Sequence, residues 1–298
     1  MIETVRLIAE HYGQLPRVRA AALIGSQASA PDPACSDWDV WILCRQPRPR
    51  PETVDALWSG HLCPPLLRGM YIRGGRFQVG GVPVECDVWE IEKIQRCLDQ
   101  VLVDADPEPD FAPWFAGADC PEVMCHDVLT CQILFDREGC LDPWKQRLAA
   151  YPQPFRAALL GQVLLEARYR LKDMRRGCEL PDPVLFHMAL SQLCLCLLRM
   201  VYAINQQYFP GLKRSLAGTN ALPRLPAEFA RRMEQLVAEP LSGHDLCQAL
   251  EQARQLTVDV TLQALAIGGD IRRAVIERGL TDWPGPEPLS LAPKAPNK

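Results

Sequence analysis

The sequence predicts an α+β protein in which a first domain with a small mixed sheet precedes an all-α domain. Three observations carry this. Short apolar runs bounded by turn residues fill the first half, and apolar residues at helical spacing fill the second from about Pro154 onward. The composition fits both: 298 residues with 48% hydrophobic side chains can bury a large core, while 7% aromatics and 27 prolines suit helices with stiff connections better than a β-sandwich.

Ile2–Tyr12 places Ile2, Val5, Ile8 and Ala9 on one helical face. Val18–Ile24 (VRAAALI) is an apolar run that ends at Gly25, as a buried strand does. Residues 39–44 (DVWILC) form a second strand, and the following 47–51 (PRPRP) exclude helix and central strand. Residues 77–79 and 82–91 flank Gly80-Gly81, a pair that tolerates positive φ, and read as a hairpin. Residues 132–135 (QILF) with the turn 136–139 (DREG) give a weaker strand. In the second half Phe155, Leu159, Leu160, Val163, Leu164, Ala167 and Leu171 recur at helical spacing, and 229–237 and 246–265 do the same. No internal repeat is visible. The expected division is 1–148, 149–282 and a Pro-rich tail, 283–298, too poor in apolar bulk to pack and therefore expected to be disordered.

Charge and cysteine usage narrow the function classes. Thirty-six acidic against 32 basic residues give a net charge of -4, with no global footprint for nucleic acid. Thirteen cysteines without a CxxC pair or a histidine cluster at zinc spacing, after an N-terminus unlike a signal peptide, point to a reducing cytoplasm and to cysteines acting as small buried hydrophobes. Residues 184–204 are about as long as a membrane span, but Arg199 is costly in lipid, so the segment is expected to be a buried helix of the all-α domain. The five histidines are dispersed and receive no role. Arg168 to Arg176 supply a basic helix end, read as a solvated face, and Trp38, Trp41 and Trp89 read as packing residues.

The chemistry concentrates in residues 23–43, LIGSQASAPDPACSDWDVWIL. A strand delivers Gly25-Ser26 into a turn where backbone N–H groups can approach an anion and a hydroxyl adds a donor. Asp37 and Asp39 then share one face of the next strand, about 7 Å apart, a repelling pair suited to a cation. Glu85 and Asp87 repeat the device in VECDV. If these strands are neighbours, three or four carboxylates converge in a set suited to Mg²⁺, and two such ions can serve phosphoryl chemistry.

Gly25-Ser26, then Asp37-x-Asp39, then the separate acidic strand with Glu85 and Asp87 resemble the signature of the DNA polymerase β type nucleotidyltransferase superfamily over about residues 20–90. Residues 205–214 (NQQYFPGLKR) are similar to the YFP-x-x-K segment of the DUF4037 group, as is the 136–139 turn. The resemblance implies a polymerase β-like catalytic domain before a helical one. It further implies Mg²⁺ on Asp37 and Asp39 with Glu85 or Asp87 as third carboxylate, and Gly25, Ser26 and Lys213 on the triphosphate. The implied reaction is transfer of a nucleoside monophosphate, by default from ATP, to a hydroxyl with loss of pyrophosphate. A small hydroxylated acceptor is the first expectation and a protein or RNA acceptor the second. A module that only binds a nucleotide is the third, and neither a membrane nor DNA is an expected partner.

Overall fold

The structure is a computed structural model describing residues 1–29, 37–47, 49–58, 65–67, 69–108, 120–213, 215–238 and 244–281. It divides into two compact units, one of Met1–Asp99 with Met124–Ala150, the other of Gln100–Val123 with Tyr151 onward. In this division Gln100–Val123 groups with the second unit. The expected tail, 283–298, lies outside the described residues.

In the first unit the chain runs α1 (Ile2–Tyr12), β1 (Val18–Ile24), α2 (Ser26–Ser29), β2 (Trp38–Cys44), α3 (Pro51–Trp58), β3 (Tyr71–Arg73), β4 (Arg76–Val79), β5 (Val82–Glu90) and α4 (Ile91–Asp99). It is completed by α5 (Pro121–Thr130), β6 (Gln132–Asp136) and α6 (Leu141–Leu148). Six strands among the described residues form one mixed sheet in the order β3-β4-β5-β2-β1-β6. The β2–β5 pair is parallel and the other pairs are antiparallel. A parallel pair needs a crossover, and α3 with the β3–β4 hairpin provides it.

The β4–β5 hairpin forms where sequence places it. Val79 pairs with Val82 around Gly80 and Gly81, whose φ values of 57° and 86° are the pair of positive angles a two-residue turn requires. Pro51 opens α3 rather than extending the break before it, because proline lacks the N–H that the first helical turn would leave unbonded anyway. β5 stops at Glu90, one residue short of the sequence expectation, since Ile91 already belongs to the buried face of α4.

One face of the sheet holds the main core. Val18, Ala21 and Leu23 of β1, Val40, Ile42 and Cys44 of β2, and Val84 and Cys86 of β5 pack with Val5, Ile8 and Tyr12 of α1 and Val54, Leu57 and Trp58 of α3. Because strand side chains alternate, Asp39 and Trp41 of β2 and Glu85, Asp87 and Trp89 of β5 belong to the opposite face. There Trp41 and Trp89 lie with ring centroids 5.8 Å apart, the packing role read from sequence. Asp136 ties off β6: its carboxylate accepts from the N–H groups of Glu138, Gly139 and Leu141 and so caps the entry to α6.

The second unit is helical, with α7 (Gln153–Glu179), α8 (Pro183–Ile204), α9 (Ser215–Gly218), α10 (Phe229–Ala238), α11 (His244–Ala266) and α12 (Gly269–Ala274). The α7–α8 hairpin closes tightly: a Cβ on Gly177 would stand 2.9 Å from that of Phe186, and Asp182 caps α8 by accepting from Leu185 N–H at 3.0 Å. By length and composition α8 could cross a membrane. Its Arg199, however, is buried and paired with the fully buried Glu122, and also donates to the Pro107 carbonyl at 3.1 Å. Such a pair suits a helix enclosed by protein.

Two sequence expectations change here. Arg168 is not on a solvated face: it is 1% exposed and donates to the Gly279 carbonyl, because α7 is covered on that side by Val275–Thr281. Nor are all the cysteines buried hydrophobes, since Cys247 is exposed on α11.

Candidate active site

The site begins where β1 ends. Ile24 pairs with Asp39 across the β1–β2 ladder, so the carboxylate of Asp39 falls beside Gly25. Gly25 has φ of 71°, and a Cβ there would stand 2.8 Å from Asp39 Oδ2. Both the left-handed backbone and the close approach demand glycine. Ser26 starts α2, with Ala28 N–H donating back to the Gly25 carbonyl at 3.2 Å. The side chain of Ser26 lies outside the described residues. Asp37 and Asp39 are both half-buried, while Trp38 between them packs on the core. Asp39 is thereby on the sheet face away from α1, and Asp37 lies just before β2.

Parallel register sets Asp39 beside Glu85 and Trp41 beside Asp87. Neighbouring strands are about 4.8 Å apart, so Glu85 is the β5 carboxylate level with Asp39. Its side chain is drawn to the other edge, where Arg76 of β4 holds it at 3.1 Å. Asp87 lies one pleat further along. Burial and then the Glu85 charge push its carboxyl above the usual range, and Arg76 opposes them. It lines a cavity of about 530 Å³ with Tyr12, Gly75, Trp89, Glu90 and Lys93. Among the described residues no three histidine, cysteine, aspartate or glutamate side chains gather as a metal-holding group. Asp39, Glu85 and Asp87 thus share a sheet face, with Asp37 just before β2.

The structure adds a carboxylate that sequence reasoning passed over. β6 pairs with β1 on the side opposite β2, and Leu23 stands across from Gln132. The last turn of α5, one residue before β6, is thereby delivered to the end of β1 where Gly25 and Asp39 sit. Asp127 is on that turn, between the buried Cys125 and Val128. Burial first, and the Asp39 charge second, raise its carboxyl to about 7. Two carboxylates that repel each other in a half-buried setting are a hard-oxygen donor set, and a divalent cation relieves the repulsion. Asp39 and Asp127 therefore fit Mg²⁺ in donor type and charge. Only the signal of an acid flanked by buried apolar neighbours on a helix could have pointed to Asp127.

Lys213 belongs to the second unit and is exposed. The segment before it is anchored by its aromatics: Tyr208 stacks on Tyr151 at 4.7 Å and Phe209 meets Tyr202 at 5.7 Å. The last carbonyls of α8 are taken by Arg156, which donates to Ala203 and Ile204, and by Asn205 Nδ2, which donates to Val201 at 2.7 Å.

Together these features define an α+β protein with an acidic centre at one end of its mixed sheet and a helical unit behind it in sequence. Residues 119–214, from just before α5 to the segment after α8, match the model of a domain of unknown function, DUF4037. Among solved structures the chain is similar to a nucleotidyltransferase-like protein from Exiguobacterium sibiricum, at 12% identity and a TM-score of 0.46, covering 89% of this chain and 77% of that one. No curated protein matches the chain.

Proposed function

We propose that the protein is a Mg²⁺-dependent nucleotidyltransferase that moves a nucleoside monophosphate, AMP from ATP by default, to a hydroxyl of a small molecule. One observation carries the reading: the Asp39 carboxylate is seated against a glycine turn at the strand end, with Glu85 level with it on the parallel strand; the Asp39 charge also acts on the half-buried Asp127. When bound, Mg²⁺ supplies Lewis acidity toward phosphoryl oxygens. Asp39 and Asp127 would hold it, with Asp37 two residues before on the same face.

The Gly25 turn has no side chain to fill the space above Asp39, which leaves the triphosphate its approach. Glu85 and Asp87 serve in this reading as the rim through which the acceptor hydroxyl enters, and Glu85 can accept its proton once Arg76 releases it. Lys213 keeps the role implied by the DUF4037 resemblance, a point charge on the β and γ phosphates. The low net basicity of the chain favours a small acceptor over RNA, and a cytoplasmic setting matches its thirteen cysteines.

Calorimetric titration of ATP in the presence and absence of Mg²⁺ tests the reading. Wild type should bind ATP in a Mg²⁺-dependent way, and Asp39→Asn and Asp127→Asn should each lose at least about tenfold, equivalent to about 1.4 kcal/mol. Absence of any Mg²⁺-dependent binding of the four common nucleoside triphosphates would overturn it. Transfer is then read by incubating the protein with α-labelled ATP and pools of hydroxylated small molecules, intact proteins or RNA, which separates the three acceptor classes.

A further inference from the structure

Part of β5 loses its neighbour in the sheet. β5 runs nine residues, Val82–Glu90, whereas β4 has four, and their pairing ends at Arg76 and Glu85. Gly74 and Gly75 turn the chain from β3 into β4 there. Gly75 lies so close to β5 that a Cβ would strike the Cys86 carbonyl, and its own carbonyl accepts from Cys86 N–H at 2.8 Å. Main-chain groups alternate sides along a strand, so Val88 turns its N–H and carbonyl the same way as Cys86. Among the described residues no strand pairs with Val88 on that side. The cavity of about 530 Å³ opens at this edge, and its described lining lies wholly in the first unit. Pro49, Pro51 and Val54 line it from the α3 side, and the two prolines have no N–H to give the strand.

Three charged side chains line the cavity. Lys93 holds its ammonium over the Trp89 ring, 4.9 Å from the centroid, and Glu90 accepts from Gln46 Nε2 at 2.8 Å. Asp87 is the third, and among the described residues it has no hydrogen-bond or ion-pair partner, while Arg76 is held by Glu85 at 3.1 Å. We propose that this cavity binds a small primary amine with an apolar body, its ammonium on Asp87 and its body against Tyr12, Pro51 and Val54. The lining has two carboxylates to one ammonium, so a single bound amine brings it to neutrality. An ammonium has three N–H donors, and the Val88 carbonyl at the open edge offers an acceptor next to Asp87. The volume is that of a small-molecule site, and apolar walls with a few polar groups are what such a site needs to bury a ligand and orient it. An alcohol of the same shape keeps the burial and loses the charge, and a carboxylate meets two like charges. Amine binding requires neither nucleotide nor metal, so it stands or falls apart from the transfer reaction.

Calorimetric titration of the full-length protein, without nucleotide or metal, with phenylbutylamine, phenylbutanol and phenylbutyrate decides the matter. The amine should bind at least about tenfold more tightly than the alcohol, and the carboxylate most weakly of the three. Asp87→Asn should remove that preference by weakening the amine about tenfold while the affinity for the alcohol stays the same. Glu52→Gln, which changes an exposed acid at the start of α3 outside the cavity lining, should alter neither ligand and so controls for the general field of the protein. Circular dichroism of both variants confirms that they fold. Equal affinities for amine and alcohol, no binding of the amine at all, an unchanged amine affinity in Asp87→Asn, or an equal loss in Glu52→Gln would overturn the proposal.

Discussion

Gly25 and His11 show how single residues set the limits of the first unit. Replacing Gly25 by alanine puts a methyl 2.8 Å from Asp39 Oδ2 at a φ of 71°. The substitution is therefore expected to cost about 1–3 kcal/mol in urea unfolding and to abolish Mg²⁺-dependent ATP binding, because Asp39 must move. A variant with unchanged stability and binding would mean that the carboxylate is free to leave the turn. His11 is 2% exposed, donates through Nε2 to the Leu57 carbonyl at 3.1 Å and meets the edge of Trp58. Burial lowers its pKa below 6.5, against the raising effect of the Leu57 bond. For a base with a depressed folded pKa, the unfolded chain takes up the proton first. Its contribution to stability is complete above pH 6.5 and is lost as the pH falls below that value. His11→Gln keeps the donor and cannot charge. Urea midpoints of the two proteins compared between pH 7.5 and pH 5.5 should show a steeper fall for wild type, and parallel lines would rule the histidine out.

At the scale of elements, α8 illustrates how an apolar helix is held in a protein interior rather than a bilayer. Arg199 and Glu122 are both buried; burial alone would lower the Arg199 pKa, but the charge and hydrogen bond of Glu122 together with Cys120 and Glu166 raise it. Removing one partner leaves an uncompensated charge. Arg199→Met is expected to destabilise by about 3–5 kcal/mol, whereas the double change with Glu122→Leu should recover most of the loss. Chemical denaturation of the three variants measures both effects, and equal losses in single and double variants would show that α8 needs the side-chain packing and not the charge pair. The element boundaries also show what local patterns convey. The Gly80-Gly81 hairpin, β1 and the long helices α7 and α8 follow from spacing and turn residues alone. α3 and α5 do not, because their buried faces exist only once the sheet is assembled, whereas α4 has Ile91, Ile94 and Leu98 at helical spacing and its first residue was absorbed into the strand before it.

For the whole molecule, the division into units is discontinuous along the chain. Gln100–Val123 belongs with the helical unit, and Glu122 in it is the partner of Arg199. A fragment cut after Ala150 therefore carries a segment stripped of its packing and an acid deprived of its cation. Such a fragment should aggregate or melt at a lower temperature than the first unit does within the full chain. Differential scanning calorimetry compares the two, and a soluble fragment with an unchanged first transition would show that 100–123 contributes nothing to the stability of either unit.

The sequence by itself determined the α+β class, the turn at Gly25, the strand that carries Asp39, and the long helices after Pro154. Each of these depends on residues within a few positions of one another, where pleat, helix period and glycine geometry act directly. It also brought Glu85 into consideration, because an alternating strand repeats the acidic pattern. Only the tertiary structure decided that Glu85 is level with Asp39 but drawn to Arg76, that Asp87 lines a separate cavity, and that Asp127 feels the Asp39 charge. Asp39 and Asp127 are joined through β1 as it pairs with β2 on one side and β6 on the other. Such meetings follow from the register and packing of segments far apart in the chain, which no local spacing encodes.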